Sequence, residues 1–262
     1  MSIDPRFEEP PVREVGLTIF FDRVPTLQSI NLAKLRVSWA NDYPKVSEVP
    51  PRPPLRGERA FAEYLSSDSF WPMPFIAFTS TRGDRAIQIQ SDRFGIAWRF
   101  DHAPKMYPGY EELSRELLTR FAEFREAIAS ELEQDLEPTD IDVEYTNLID
   151  GYRPEDFAAG VLTNWANSQA LCGPADLAGL RLHFCSNVGN SEIALTISIN
   201  PTFDEQSDAS SCVFELNATA KMSPSDEVEG TMRAAHGVLV DRFVELTNDS
   251  LRAGWGWNNE RR

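Results

Sequence analysis

Apolar and polar residues alternate in several stretches of this chain, and in others apolar residues recur every three or four positions. Val15, Leu17, Ile19 and Phe21 alternate with Glu14, Gly16, Thr18 and Phe20, the period-two pattern of a half-buried strand. Ile87 and Ile89 face away from Gln88 and Gln90, and after a tight turn at Asp92, Phe94, Ile96, Trp98 and Phe100 alternate with Arg93, Gly95, Ala97 and Arg99. This pair of segments, Arg85–Gln90 and Arg93–Phe100, predicts the best-defined hairpin. A continuous apolar run, Phe75 to Phe78, predicts a strand covered on both sides. From Gly109 onward, Tyr110, Leu113, Leu117, Phe121, Phe124, Ile128 and Leu132 form a helical stripe suited to packing on a sheet.

The second half repeats this order. Ile141, Val143 and Tyr145 alternate with Asp142, Glu144 and Thr146. Pro154-Glu155-Asp156 opens a helix expected to run to about Trp165. Three more alternating stretches follow: Leu180 to Cys185 with Arg181 and His183 on the polar side, Ile193 to Asn200 with Thr196 and Ser198, and Cys212 to Met222 with Glu215, Asn217 and Thr219. A final helix carries Val228, Met232, Ala235, Leu239, Phe243 and Leu246 on one side and is expected to reach about Leu251.

With a short helix in the first half, capped by Thr26 and carrying Leu27, Ile30, Leu35 and Trp39 on one side, each half reads as strand, helix, three strands, long helix, and the two long helices share Arg-Phe-x-Glu within LTRFAEF (118–124) and VDRFVEL (240–246). The expectation is an internal duplication with units at 1–138 and 139–262, forming one pseudo-symmetric domain. The fold class is α+β, with two β-α-β-β-β-α repeats pairing into one antiparallel sheet of about eight strands and the helices on one face, a helix-grip-like or saddle arrangement similar in element order to TATA-binding protein. The region from 41 to 69, with Pro44, Pro50, Pro51, Pro53 and Pro54, shows no pattern and is expected to be an irregular Pro-rich insertion crossing the surface.

Composition narrows the class. The 262 residues include 16 Phe and 6 Trp, ample for a large core, and no run approaches the roughly 20 apolar residues of a membrane span. The opening MSIDPRFEEPPVREV lacks the layout of a secretion signal, so the expected compartment is the cytoplasm. Cys172, Cys185 and Cys212 have neither disulfide nor zinc spacing and are expected to be small apolar fillers. His102, His183 and His236 are isolated, so no metal site and no cofactor are expected, and no phosphate loop, dinucleotide fingerprint, HExxH or GxSxG occurs. The formal charge of −16 disfavours nucleic acid as a broad-surface partner.

The remaining chemistry lies on the polar sides of the strands. If the strands pair as expected, Gln88, Gln90, Arg93, Arg99, Glu144, Arg181, His183, Glu215 and Asn217 share one open face, a platform of hydrogen-bonding groups for a protein partner. Two alternatives use the same face: an enzyme acting on a nucleotide or phosphate-bearing substrate, with Arg93, Arg99 and Arg181 as anion contacts and His183 as a base oriented by Glu144 or Glu215, and a nucleic-acid-binding surface. Trp255 and Trp257, in the tail LRAGWGWNNERR, are candidates for an interface with another chain.

Several blocks, VREVGLTIFF, YPKVSEVPPRPP, IQIQSDRFGIAWRF, YPGYEELSRELLTRFAEF, VEYTNLI and HGVLVDRFVELTNDSLRAGWG, spread over nearly the whole chain, resemble a sporadically distributed family of uncharacterised bacterial and archaeal proteins. The resemblance carries no established activity or site residue. The patchy distribution of that family is similar to that of defence or toxin–antitoxin cargo, so the resemblance implies a regulatory component of such a system.

Overall fold

The computed structural model describes residues 7–53, 73–100, 107–166, 179–188, 191–202 and 211–257. His102, Cys172, Pro54 and most of the acidic loop after Pro201 lie outside them. The elements are β1 (Val12–Phe21), α1 (Ala33–Ser38), β2 (Lys45–Val49), β3 (Phe75–Thr79), β4 (Arg85–Gln90), β5 (Arg93–Arg99) and α2 (Tyr110–Leu132), then β6 (Pro138–Asp150), α3 (Pro154–Leu162), β7 (Leu180–Val188), β8 (Ser191–Pro201), β9 (Ser211–Lys221), α4 (Val228–Leu246) and α5 (Asp249–Gly254).

The strands form one antiparallel sheet in the order β2-β3-β4-β5-β1-β6-β9-β8-β7. The first strand of each half, β1 and β6, pair near its centre, and from each the sheet runs outward through that half's other strands in reverse order, β5-β4-β3-β2 on one side and β9-β8-β7 on the other. Register carries the alternation across the sheet: Leu17 pairs with Ile96 on one side and Val143 on the other, and Val143 pairs with Ala218. One face is therefore continuously apolar.

The described helices pack on that apolar face. Leu113, Leu117, Phe121, Phe124 and Ile128 of α2 are buried over the first half, with Phe124 stacked on Phe94. Met232, Ala235, Leu239 and Phe243 of α4 cover the second. Burying the five α2 side chains contributes on the order of 10 kcal/mol, which outweighs any local helix preference. Gly109 at the entry to α2 has φ +93°, a conformation that disfavours a side chain and sets where the helix starts. No described helix is long and apolar enough to cross a membrane.

Several boundaries differ from those expected. The Pro-rich insertion contains an edge strand, β2, paired with β3 through Val46↔Phe78; its largely exposed side chains erase the alternation that marks the other strands. Pro138 begins β6 instead of closing the first half, at a strand's first position, where its missing amide hydrogen is tolerated. The last helix breaks at Thr247, and α5 restarts behind Asn248, whose side chain accepts a hydrogen bond from Leu251 N at 2.8 Å. Helix α3 stops at Leu162, short of Trp165, because Asn164 and Trp165 turn into positive φ (48° and 59°) and lay the Trp165 ring against Gly160. Cys212 is a buried filler, whereas Cys185 is exposed on the polar side of edge strand β7.

Candidate functional site

Strand pairing puts every expected polar-face residue on the side opposite the helices. Arg181, Ser198, Glu215, Thr146, Glu14 and Arg99 form one cross-strand row. His183, Thr196, Asn217 and Glu144 lead across the next row to Gly16. Sharing a face does not make these groups neighbours. His183 is three strands from Glu144, about 14 Å at normal strand spacing. Its Nδ1 instead lies 3.0 Å from Thr196 Oγ1. Arg181 and Arg99 are five strands apart, about 24 Å. The expected cations therefore do not converge on one phosphate, and His183 is not oriented by Glu144.

Gln90 and Arg93 have a different role. Pro50 and Pro51 cannot extend the β2 ladder, and the chain after them turns over the sheet edge onto the polar face. There Gln90 clamps the backbone of Arg52 in both directions: Arg52 N donates to Gln90 Oε1 at 2.7 Å, and Gln90 Nε2 donates to Arg52 O at 3.0 Å. Arg93 donates to Pro53 O at 2.5 Å and holds the Asp92 carboxylate with two bonds of 2.9 Å, its guanidinium 5.0 Å from the Phe20 ring centre. Gln90 is 0% exposed and Arg93 9%, so the face is not open here. Their polarity fixes a strap, Pro50–Pro53, across the sheet.

Between strap and sheet lies a cleft of about 300 Å³ lined by Thr18, Phe20, Arg52, Phe75, Gln88 and Glu144 among others. Gly95 brings no side chain to its floor; a Cβ there would approach Thr18 Oγ1 and Leu17 O to 3.0 Å. On the strap side, the Arg52 guanidinium lies over the Phe75 ring, 4.0 Å from its centre. On the β6 side stand two carboxyls. Asp142 is half-buried and accepts hydrogen bonds from Asn217 Nδ2 at 2.7 Å and Thr219 Oγ1 at 2.6 Å. Burial raises its pKa above the usual carboxylate value despite those bonds. Glu144 keeps solvent access, but partial desolvation, followed by repulsion from Asp142 and Glu215, pushes its pKa up to about 7.

Among the described residues, neither the Glu144 carboxylate nor the Arg52 guanidinium makes a side-chain hydrogen bond or ion pair. Each does feel the other's field, which raises the Arg52 pKa and lowers that of Glu144. Arg52 is nevertheless shifted down overall, by desolvation first and the nearby Arg93 second. Two opposite charges thus face one another across the cleft without closing on each other. No group of carboxylates, cysteines and histidines with metal-binding geometry occurs among the described residues.

The remaining candidates are placed elsewhere. Asn217 supports Asp142, and Asn200 Nδ2 donates to Glu215 at 3.3 Å. Gln88 lines the cleft, while Arg99 pairs with Glu14 at 2.7 Å near the surface. Trp255 and Trp257 fold back onto their own chain: Trp255 packs on Phe243 and Phe7, and Trp257 packs on Phe7, so both rings already have intramolecular partners. Sequence reasoning missed Arg52 and Asp142. Asp142 had a signal, two residues before Glu144 in the same alternation, whereas Arg52 lies in a stretch without periodicity and had none. No protein-family model matches the chain, and a search of curated proteins finds no match.

Proposed function

We propose that this is a recognition protein that works without catalysing a reaction, docking a partner on the polar face of its sheet with the strap cleft as the anchoring point. The observation that carries this reading is the Glu144 carboxylate opposite the Arg52 guanidinium, neither of them in an ion pair among the described residues, both positioned by strand and strap and both reachable from solvent. Preorganised charges on a rigid sheet give orientation and specificity to a docking partner. The central part of the face, with Asp142, Glu144 and Glu215, is acidic and suits a cationic group more than a phosphate chain. Residence in the cytoplasm is part of this proposal. A place in a prokaryotic defence or toxin–antitoxin system is supported by the sequence resemblance alone.

The test is capture of partners by tagged protein from its own host, comparing wild type with Glu144→Gln and Arg181→Gln and treating each sample with nuclease. Loss of a stoichiometric partner with Glu144→Gln, and retention with Arg181→Gln, is the expected result. Equal retention by both variants overturns the reading. A second reading, general acid–base catalysis on a small substrate, is favoured by the titration of Glu144 near neutrality beside Asp142. It predicts a turnover that Glu144→Gln abolishes.

A further inference from the structure

The strap cleft has features that a solvated sheet surface does not need. Arg52 is clamped through its backbone by Gln90, which leaves its guanidinium free to point along the Phe75 ring. Glu144 stands on β6 opposite Gly16 and its carboxylate leans over that residue, with Oε2 3.7 Å from where a Cβ would stand. Mobile surface charges of opposite sign usually meet. Among the described residues these two form no ion pair, and the cleft they line is also lined by Phe20 and Phe75. A cleft of about 300 Å³ lies at the small end of ligand sites, large enough for one amino-acid-sized molecule and too small for a dinucleotide.

From this geometry we infer that the cleft binds an amino-acid-sized zwitterion, its cationic nitrogen on Glu144 with Asp142 behind, and its carboxylate on Arg52. Each half of such a ligand completes a charge that has no ion pair among the described residues. A guanidinium fork matches a carboxylate. The chemistry is shared by a free amino acid and by a polypeptide that ends in lysine or arginine, whose side chain supplies the cation because the α-nitrogen there is an amide. The inference rests on the recognition reading above and specifies what the face recognises.

The titration of Glu144 supports the assignment. The charged groups facing it are Asp142, Glu215 and Glu14, which disfavour its ionised form, and Arg52, which favours it; Arg93 acts on Arg52 and Asp142. A cation bound there selects the carboxylate, so binding near pH 7 releases a proton, and affinity rises with pH through about 7.

The experiment is isothermal titration calorimetry of the full chain with a panel of neutral and basic L-amino acids, with agmatine as the decarboxylated counterpart of L-arginine, and with a tripeptide ending in arginine. The expected result is saturable binding of at least one carboxylate-bearing probe. Loss of the carboxylate, Arg52→Gln and Glu144→Gln should each weaken it about tenfold or more, while Arg181→Gln leaves it unchanged. A free amino acid that binds as tightly as the tripeptide identifies the small molecule as the ligand, and preference for the tripeptide identifies a polypeptide end. Arg52→Gln retains the backbone clamp, so a loss of binding with an unchanged thermal midpoint is not a folding defect. Absence of saturable binding across the panel, or binding that neither variant weakens, overturns the inference. If the panel fails while a captured host partner is still lost with Glu144→Gln, the zwitterion assignment falls and the recognition reading stands; if both fail, both fall.

Discussion

The two ends of the polar face begin from the same sequence pattern and finish as different surfaces. At the β4–β5 end, Gln90 and Arg93 are buried beneath the strap and hold it in place. At the β7 end, Arg181 and His183 occupy equivalent outward positions and remain exposed. Period-two alternation states which side of a sheet a residue faces. Whether that side meets solvent is decided by what lies on it, here four residues of proline-rich chain with no periodicity. A polar residue at an outward strand position is thus either a free contact or a structural anchor, and the two respond differently to mutation.

The largest expected effect is that of Arg93→Ala. It leaves Asp92, 8% exposed, without its bidentate partner and frees Pro53 O. Removing one member of a buried ion pair costs about 3–5 kcal/mol. Urea denaturation should show a loss of that order, together with strap release seen as new protease cleavage near Pro53. A loss below about 1 kcal/mol would mean that the strap end is no more committed than the bare end. Gln90→Ala tests the same contrast without a charge. It strips both backbone bonds from Arg52, and a net loss of about 1–2 kcal/mol is expected in the same assay.

A second contrast runs through β6, between the front and back of adjacent residues. Glu144 faces the cleft with a pKa pushed up to about 7. Tyr145 points to the opposite side and contacts His236, whose pKa burial pushes down to about 4 while its ring stacks on Tyr110 at 3.8 Å. The signs of the two linkages are opposite. Between the unfolded value of 6.5 and about 4, the unfolded state binds more protons at His236, so stability falls on acidification. Between the unfolded value of 4.5 and about 7, the folded state binds more protons at Glu144, so stability falls as pH rises. The slopes oppose one another across the shared window, and the net change there should be small. In urea midpoints measured against pH, Glu144→Gln should expose the acid-side loss due to His236, and His236→Leu should expose the alkaline-side loss due to Glu144. An unchanged profile in both variants would remove the front–back contrast.

The fold was legible because each well-covered strand alternates and each long helix carries a stripe. The register joining Leu17, Ile96 and Val143 follows from placing those apolar sides together. The edge strand β2 was not legible, since four of its five side chains are exposed and no burial imposes a pattern. The site was legible by half. Glu144, Asn217 and Gln88 follow from alternation, but Arg52 reaches the cleft through a tertiary clamp made by a glutamine 38 residues later in the chain. The three arginines share a face but not a neighbourhood, because one-dimensional pattern gives facing without lateral distance. The tail tryptophans illustrate the same limit: their partners, Phe7 and Phe243, include a residue near the opposite end of the chain.

The smallest expected effects complete the comparison. Arg99 and Glu14 form a pair at 2.7 Å, but their side chains are 67% and 45% exposed, so the attraction is screened by water and offset by the ordering of two long side chains. Arg181 is exposed at the bare end. Arg99→Ala and Arg181→Ala should each lie within about 0.5 kcal/mol of wild type in urea denaturation, an order of magnitude below Arg93→Ala. Three arginines at outward strand positions then have three surroundings: a buried clamp, a surface pair and open solvent. A cost above about 1 kcal/mol for Arg181→Ala would place a second cover over the β7 end and require the docking surface to be redrawn around the central strands alone.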